Sequence, residues 1–313
     1  MLRWMCLWYV KMRNFAEVFI LIVLCASVFC VSCTSESKHV DNSSMRSYSL
    51  SDKKLLDIIS SQNKLFETIE RSGRNARAPM TSSDLISQKR RIDSLWKAYF
   101  AGESRNAEAY AIYGKYLRKC GDLAGAYAAF KKADSLDSTM ASVKHQLAVY
   151  ESEIAEYKLA YSNFSEAVKL APNEKFYLRQ RAKFLMVAKY RLVKMGFDSE
   201  KLDREMLEDY RKTAELSKPN SQERWEYAKA FYSVGNPDWD LALSLWDNII
   251  YSASILLEKQ TALANKARVL IELRRDAEAE VILNSIDNEH LASDKALLMR
   301  VIDAEKQKNK RQK

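Results

Sequence analysis

Residues 107–140 read AEAYAIYGKYLRKCGDLAGAYAAFKKADSLDSTM, and residues 141–172 read ASVKHQLAVYESEIAEYKLAYSNFSEAVKLAP. A shift of 34 positions lays the first segment on the second, so that Tyr113 falls on Leu147, Gly114 on Ala148, Ala126 on Ala160, Phe130 on Phe164, Ala133 on Ala167 and Leu136 on Leu170. Apolar residues spaced at three and four predict two helices per segment. Small side chains at Gly114, Ala126, Ala148 and Ala160 allow an antiparallel pair of backbones to approach closely, and Phe130 and Phe164 fill the space beside them. One such hairpin cannot bury its apolar face alone, so a stack of at least about three is expected.

The first segment carries Tyr110-x2-Tyr113-Gly114-x2-Leu117 and then Ala126-x3-Phe130; the second carries Leu147-Ala148, Ala160-x3-Phe164 and Pro172. This spacing resembles that of the tetratricopeptide-repeat (TPR) family. The resemblance implies an all-α fold, an α-solenoid of about five TPR helical hairpins with N-terminal and C-terminal capping helices. It implies nothing about the ligand.

Working outward, the repeat register continues after Pro172 but loosens. Leu178, Ala182 and Leu185 fit a third first helix that overruns to Met195 before Gly196, and its partner from Leu202 to Leu216 puts Tyr210 in the large position. A fourth unit has Tyr227, Ala228 and Phe231, an inserted Asn236-Pro237-Asp238-Trp239 turn, then Ala242 and Trp246. The fifth has Leu263, Ala267, Leu270, Ala279, Leu283 and Ile286. The array therefore spans 106–292, and residues 293–313 form a closing helix with a basic tail, a frayed cap or a contact with anionic lipid head groups. On the other side, residues 51–105 hold two helices outside the repeat spacing, the first capped by Ser51 and the second starting at Ser82 or Ser83; they are expected to cap the array.

The N-terminus has a different composition. Val18 to Val31 is an uncharged run of 14 residues behind Arg13, shorter than the ~20 needed to span a bilayer, so residues 1–33 read as a signal peptide. Translation starts at Met1 or Met12. Val31-Ser32-Cys33 resembles a bacterial lipobox, which implies lipidation (palmitate among the acyl chains) at Cys33; an ordinary signal peptide cleaved nearby is the alternative. Residues 34–50, rich in Ser, form a flexible tether. Thr34 directly after the cysteine, where Asp retains some lipoproteins at the inner membrane, points to the outer membrane of a bacterial cell envelope.

Composition excludes several functions. Seven Gly and four Pro in 313 residues, with 47% hydrophobic residues, suit a helical chain with short loops. Loss of residues 1–32 leaves 47 basic and 40 acidic side chains, a net +7 that does not imply nucleic acid. After the signal and Cys33, Cys120 is unpaired and no disulfide framework is available. His39, His145 and His290 lie far apart without an HExxH or paired cysteines, and no GxSxG or GxGxxG is present. No catalytic residue, metal or cofactor is therefore assigned, and Glu151, Glu153 and Glu156 read as a solvated face.

TPR arrays bind partners along a concave groove lined by their first helices. Transferred to this chain, the inward positions include Glu108, Ala111, Lys115, Arg118 and Lys119; Ser142, His145 and Glu153; Phe176, Arg179, Lys183 and Met186; and Trp225, Lys229 and Tyr232. Candidate groove residues are Lys115, Arg118, Arg179, Lys183, Trp225, Lys229 and Tyr232. A basic groove with aromatic anchors suits an acidic or C-terminal peptide, although Lys and Arg on exposed helices also serve solubility. The expected function is a lipid-anchored scaffold for protein–protein interaction at the envelope. The alternatives are a secreted or periplasmic enzyme using the groove as its substrate cleft, and an accessory lipoprotein for polysaccharide uptake.

Overall fold

The computed structural model describes residues 49–74, 82–219 and 221–311. The chain divides into two units, Met1–Lys53 and Lys54–Lys313. Of the first, only residues 49–53 are described, so the signal peptide, Cys33 and nearly all of the tether lie outside the described residues. The second unit holds the helical stack.

Thirteen α-helices and two 3-10 turns make up the described residues, which contain no strand. Helices α1 (Leu50–Arg74) and α2 (Ser82–Gly102) precede five hairpins: α3 (Ala107–Lys119) with α4 (Leu123–Leu136), α5 (Ala141–Glu153) with α6 (Tyr157–Leu170), α7 (Lys175–Lys194) with α8 (Ser199–Glu215), α9 (Gln222–Ala230) with α10 (Trp239–Ser252), and α11 (Leu256–Glu272) with α12 (Asp276–Asn284). Helix α13 (Ala292–Arg311) closes the stack. The cap of α1 is Ser49, not Ser51: Ser49 Oγ accepts from the Asp52 amide and Asp52 returns a bond to the Ser49 amide, both at 3.0 Å, a reciprocal box that Ser51 has no acid to complete.

The small and large positions meet as the spacing predicts. An added Cβ on Gly114 would lie 2.7 Å from the Phe130 ring, and Ala126, Ala148 and Ala160 are buried. One core joins α1 and α2, through Ile58, Leu65, Ile92 and Trp96, to the first hairpin; a second runs from Ala148 to Val269, and a third joins the last hairpin to Leu298 and Ile302 of α13. At about 25 cal/mol per Å², buried apolar area of this kind is the main stabilising term of a stack without cross-links.

The turns inside four of the five hairpins share one hydrogen-bond pattern. The amides of Asp122, Glu156, Phe197 and Arg275 reach back to the carbonyls of Leu117, Glu151, Leu192 and Leu270, and the residue before each has positive φ: Gly121 (83°), Ala155 (64°), Gly196 (91°) and Arg274 (61°). This is a Schellman turn, satisfying carbonyls that a helix end leaves open. Ala155 and Arg274 adopt it without glycine's freedom. The fourth hairpin departs: α9 ends in a 3-10 turn, Phe231–Ser233, and Asp238 caps α10 through the Leu241 amide at 2.9 Å. Lys189 and Asp203 hold this insertion, Lys189 Nζ donating to the Ser233 carbonyl (2.6 Å) and the Gly235 amide donating to Asp203 Oδ2 (2.8 Å).

Candidate binding surface

Each hairpin presents its first helix beside the first helix of the next, and the side chains along these seams decide what remains free to bind. Between α3 and α5, Arg118 Nη2 donates to Glu153 Oε1 at 2.7 Å. Between α5 and α7, the His145 ring packs on Phe176 and Tyr177, with centroids 4.8 and 5.7 Å away. Between α7 and α9, Arg179 grips the Glu226 carboxylate with two bonds of 2.7 and 2.6 Å, Lys183 Nζ lies 3.3 Å from the same carboxylate, and Lys175 Nζ lies 3.6 Å from Glu223. The hydrogen bonds to Glu226 raise the Arg179 pKa.

The seam between α9 and α11 is different. Its far end is closed, where Tyr232 Oη donates to the Asn265 carbonyl at 3.0 Å and the Arg268 guanidinium covers the Tyr232 ring at 4.1 Å. Nearer the start of α11 it opens into a cleft of about 420 Å³, lined by Gln222, Trp225 and Lys229 of α9 and Leu257, Glu258 and Thr261 of α11. Trp225 is held edge-to-face on the fully buried Trp246, with centroids 5.4 Å apart, and Lys229 Nζ sits 5.5 Å from its ring centre. Glu258 Oε2 is buried without a hydrogen-bond partner. Leu257 is 41% exposed, and Ile255 and Leu256 beside it are exposed as well. An aromatic wall, an apolar rim and one charge of each sign are the makings of a site for a short extended segment.

The seven candidate groove residues therefore separate. Trp225 and Lys229 meet in the cleft, and Tyr232, in the 3-10 turn that follows α9, is tied into packing. Arg118, Arg179 and Lys183 already face carboxylates of the following repeat, while Lys115 is exposed on α3. Two of the expected groove positions are buried: Ala111, and His145, which is only 6% exposed because Phe164, Phe176 and Tyr177 enclose it. Burial, with Arg118 and Lys115 nearby, lowers the His145 pKa to about 4. Glu151 is no part of a solvated face either; it accepts from Tyr127 Oη (3.2 Å) and Asn163 Nδ2 (2.8 Å) beneath the surface, and burial raises its pKa. The sequence hides this because Asn163 lies on the second helix of the hairpin.

Packing displaces the pKa values of Tyr116 and Cys120. Burial, with a hydrogen bond to Asp93, raises the Tyr116 phenol, and burial raises the half-buried Cys120 thiol. Among the described residues no group of three or more His, Cys, Asp or Glu side chains is placed to hold a metal ion, and no helix is long and apolar enough to cross a membrane.

No family model and no curated protein matches this chain. Solved structures do. A chain of the Naa15/Naa10 complex bound to HypK-THB is 15% identical with a TM-score of 0.55, the match covering 82% of this chain and 34% of that one, so this chain spans about a third of its length. The C-terminal part of a TPR repeat-containing protein from Cytophaga hutchinsonii is 14% identical with a TM-score of 0.50, covering 78% of this chain and 97% of that one.

Proposed function

We propose, from the tetratricopeptide-repeat fold of this chain, that it is a non-catalytic scaffold that binds an extended segment of another protein at its first-helix seams and is held at the bacterial cell envelope by lipid on Cys33. The observation that carries the binding reading is the α9–α11 cleft, where Trp225 and Lys229 are presented by α9 and Trp225 is backed by Trp246. Supporting the anchoring reading are the uncharged run from Val18 to Val31, the small residue before Cys33 and the polar stretch after it. Thr34 after the cysteine supports an outer-membrane destination. A scaffold role is also consistent with the ion pairs and aromatic contacts that occupy most titratable groups along the seams.

Two measurements test the two halves separately. Metabolic labelling with an alkyne analogue of palmitate should mark the wild-type protein and not Cys33→Ser, which should also leave the membrane fraction; equal labelling refutes the anchor. Photocrosslinking from position 229 in intact cells should yield a discrete adduct that Trp225→Ala removes. An unchanged adduct refutes the seam as the binding surface.

A further inference from the structure

Each of the four seams between successive first helices is bridged by side chains of the protein itself: by Arg118 with Glu153, by His145 with Phe176 and Tyr177, by Arg179 and Lys183 with Glu226, and, at the far end of the fourth, by Tyr232 with the Asn265 carbonyl and Arg268. The near end of the fourth seam is the cleft. There a cation and a carboxylate both occur, Lys229 on α9 and Glu258 on α11, yet they do not bridge the seam: Lys229 is placed over the Trp225 ring, and Glu258 Oε2 is buried with no donor. A carboxylate oxygen shielded from water and lacking a donor is an unmet demand for one. Trp225 and Leu257 supply the apolar surface of the same cleft.

Resting on the scaffold reading above, we propose that this cleft recognises an extended segment of the partner in which a large apolar side chain and a basic one stand two positions apart, so that both point into it. The apolar side chain seats between Trp225 and Leu257. The basic side chain donates to the Glu258 carboxylate, as Arg179 does to Glu226 at the third seam. A main-chain carbonyl of the same segment accepts from Lys229. A volume of about 420 Å³ holds two side chains of this size. The sequence alone points instead to an acidic ligand, because it shows the row of lysines and arginines but not that Glu153, Glu223 and Glu226 pair with them.

The test uses the unlipidated protein and three fluorescein-labelled, end-blocked hexapeptides identical except at two positions separated by one residue, which carry Leu and Arg (Leu-Arg), Leu and Glu (Leu-Glu) or Ser and Arg (Ser-Arg), read by fluorescence anisotropy. Leu-Arg should bind at least about tenfold more tightly than either of the others. Glu258→Gln should reduce the Leu-Arg over Leu-Glu preference to within about threefold. Leu257→Ser, at an exposed position that leaves the fold intact by circular dichroism, should weaken both Leu-containing peptides and spare Ser-Arg. Equal binding of the three peptides, tighter binding of Leu-Glu, a preference unaltered by Glu258→Gln, or no binding of any peptide overturns the proposal. In each of those cases the scaffold reading still stands if the adduct formed from position 229 in cells requires Trp225.

Discussion

Asp209→Ala is the substitution whose effect the structure specifies most fully. Arg181 on α7 donates from Nε and Nη2 to the two oxygens of Asp209 on α8, at 2.7 and 2.8 Å, and their side chains are 14% and 2% exposed. Removing the carboxylate leaves a guanidinium enclosed between two helices, a change that ordinarily costs about 3–5 kcal/mol. The Glu205 carboxylate also acts on Arg181, and it takes up part of the charge, so the lower end, about 3 kcal/mol, is expected. For a folded body of this length that corresponds to a fall in melting temperature of roughly 6–12 °C. The pair itself contributes far less than its disruption costs, because two ions must be stripped of water to form it. Replacing both partners, Arg181→Met with Asp209→Leu, should therefore stay within about 1 kcal/mol of the wild type. Thermal and urea denaturation followed by circular dichroism read both variants, and amide exchange should show the loss centred on α7 and α8. A loss below about 1 kcal/mol for Asp209→Ala, or a double variant no more stable than the single one, would refute the reasoning.

Three further outcomes are expected. His145 has a folded-state pKa of about 4 against an ordinary value near 6.5, so the neutral ring is favoured by folding; its contribution is complete above about pH 6.5 and is lost as the pH falls towards 4, roughly 3 kcal/mol in all, and His145→Gln should flatten the stability profile over that window in urea titrations. Gly114→Val forces a branched side chain against a ring that an added Cβ would already meet at 2.7 Å, and should cost about 2–3 kcal/mol, part of which a smaller side chain in place of Phe130 restores; an unchanged denaturation midpoint would remove the close-crossing argument. Ala155→Gly relieves a left-handed backbone at the position where the first hairpin has Gly121, and should raise stability by roughly 0.5–1 kcal/mol, with Arg274→Gly behaving alike.

The hairpins were legible because their signal is local. Gly114 and Phe130 lie 16 positions apart on one hairpin, and the geometry of two crossing helices requires one to be small where the other is large. The long α7 was legible for the same reason, since Leu178, Ala182, Leu185 and Leu192 keep one face apolar up to Gly196. The seams were not legible. Arg118 and Glu153 are 35 positions apart, close to one repeat, so that pair could have been sought; Arg179 and Glu226 are 47 apart, because the third hairpin is longer, and no fixed period finds them. Whether a first-helix position faces solvent depends on its neighbour in the next hairpin, which is why His145 lies beneath Phe176 and Tyr177 while Trp225, one of its counterparts, lines an open cleft. The cleft combines this dependence with the early start of α11 at Leu256, which brings Leu257 and Glu258 alongside α9.

Because every junction along the stack has its own chemistry, the hairpins are not interchangeable parts. Excising residues 141–174 would set Arg118 opposite Val187, the residue 34 positions beyond Glu153, and strand a guanidinium where it now has a carboxylate. Duplicating the same block would leave one imidazole facing Ser142 and Val143 of the second copy in place of Phe176 and Tyr177. The order of modules is thus enforced at their borders, and a chain built this way is expected to change by substitution within a hairpin more readily than by gain or loss of a whole one.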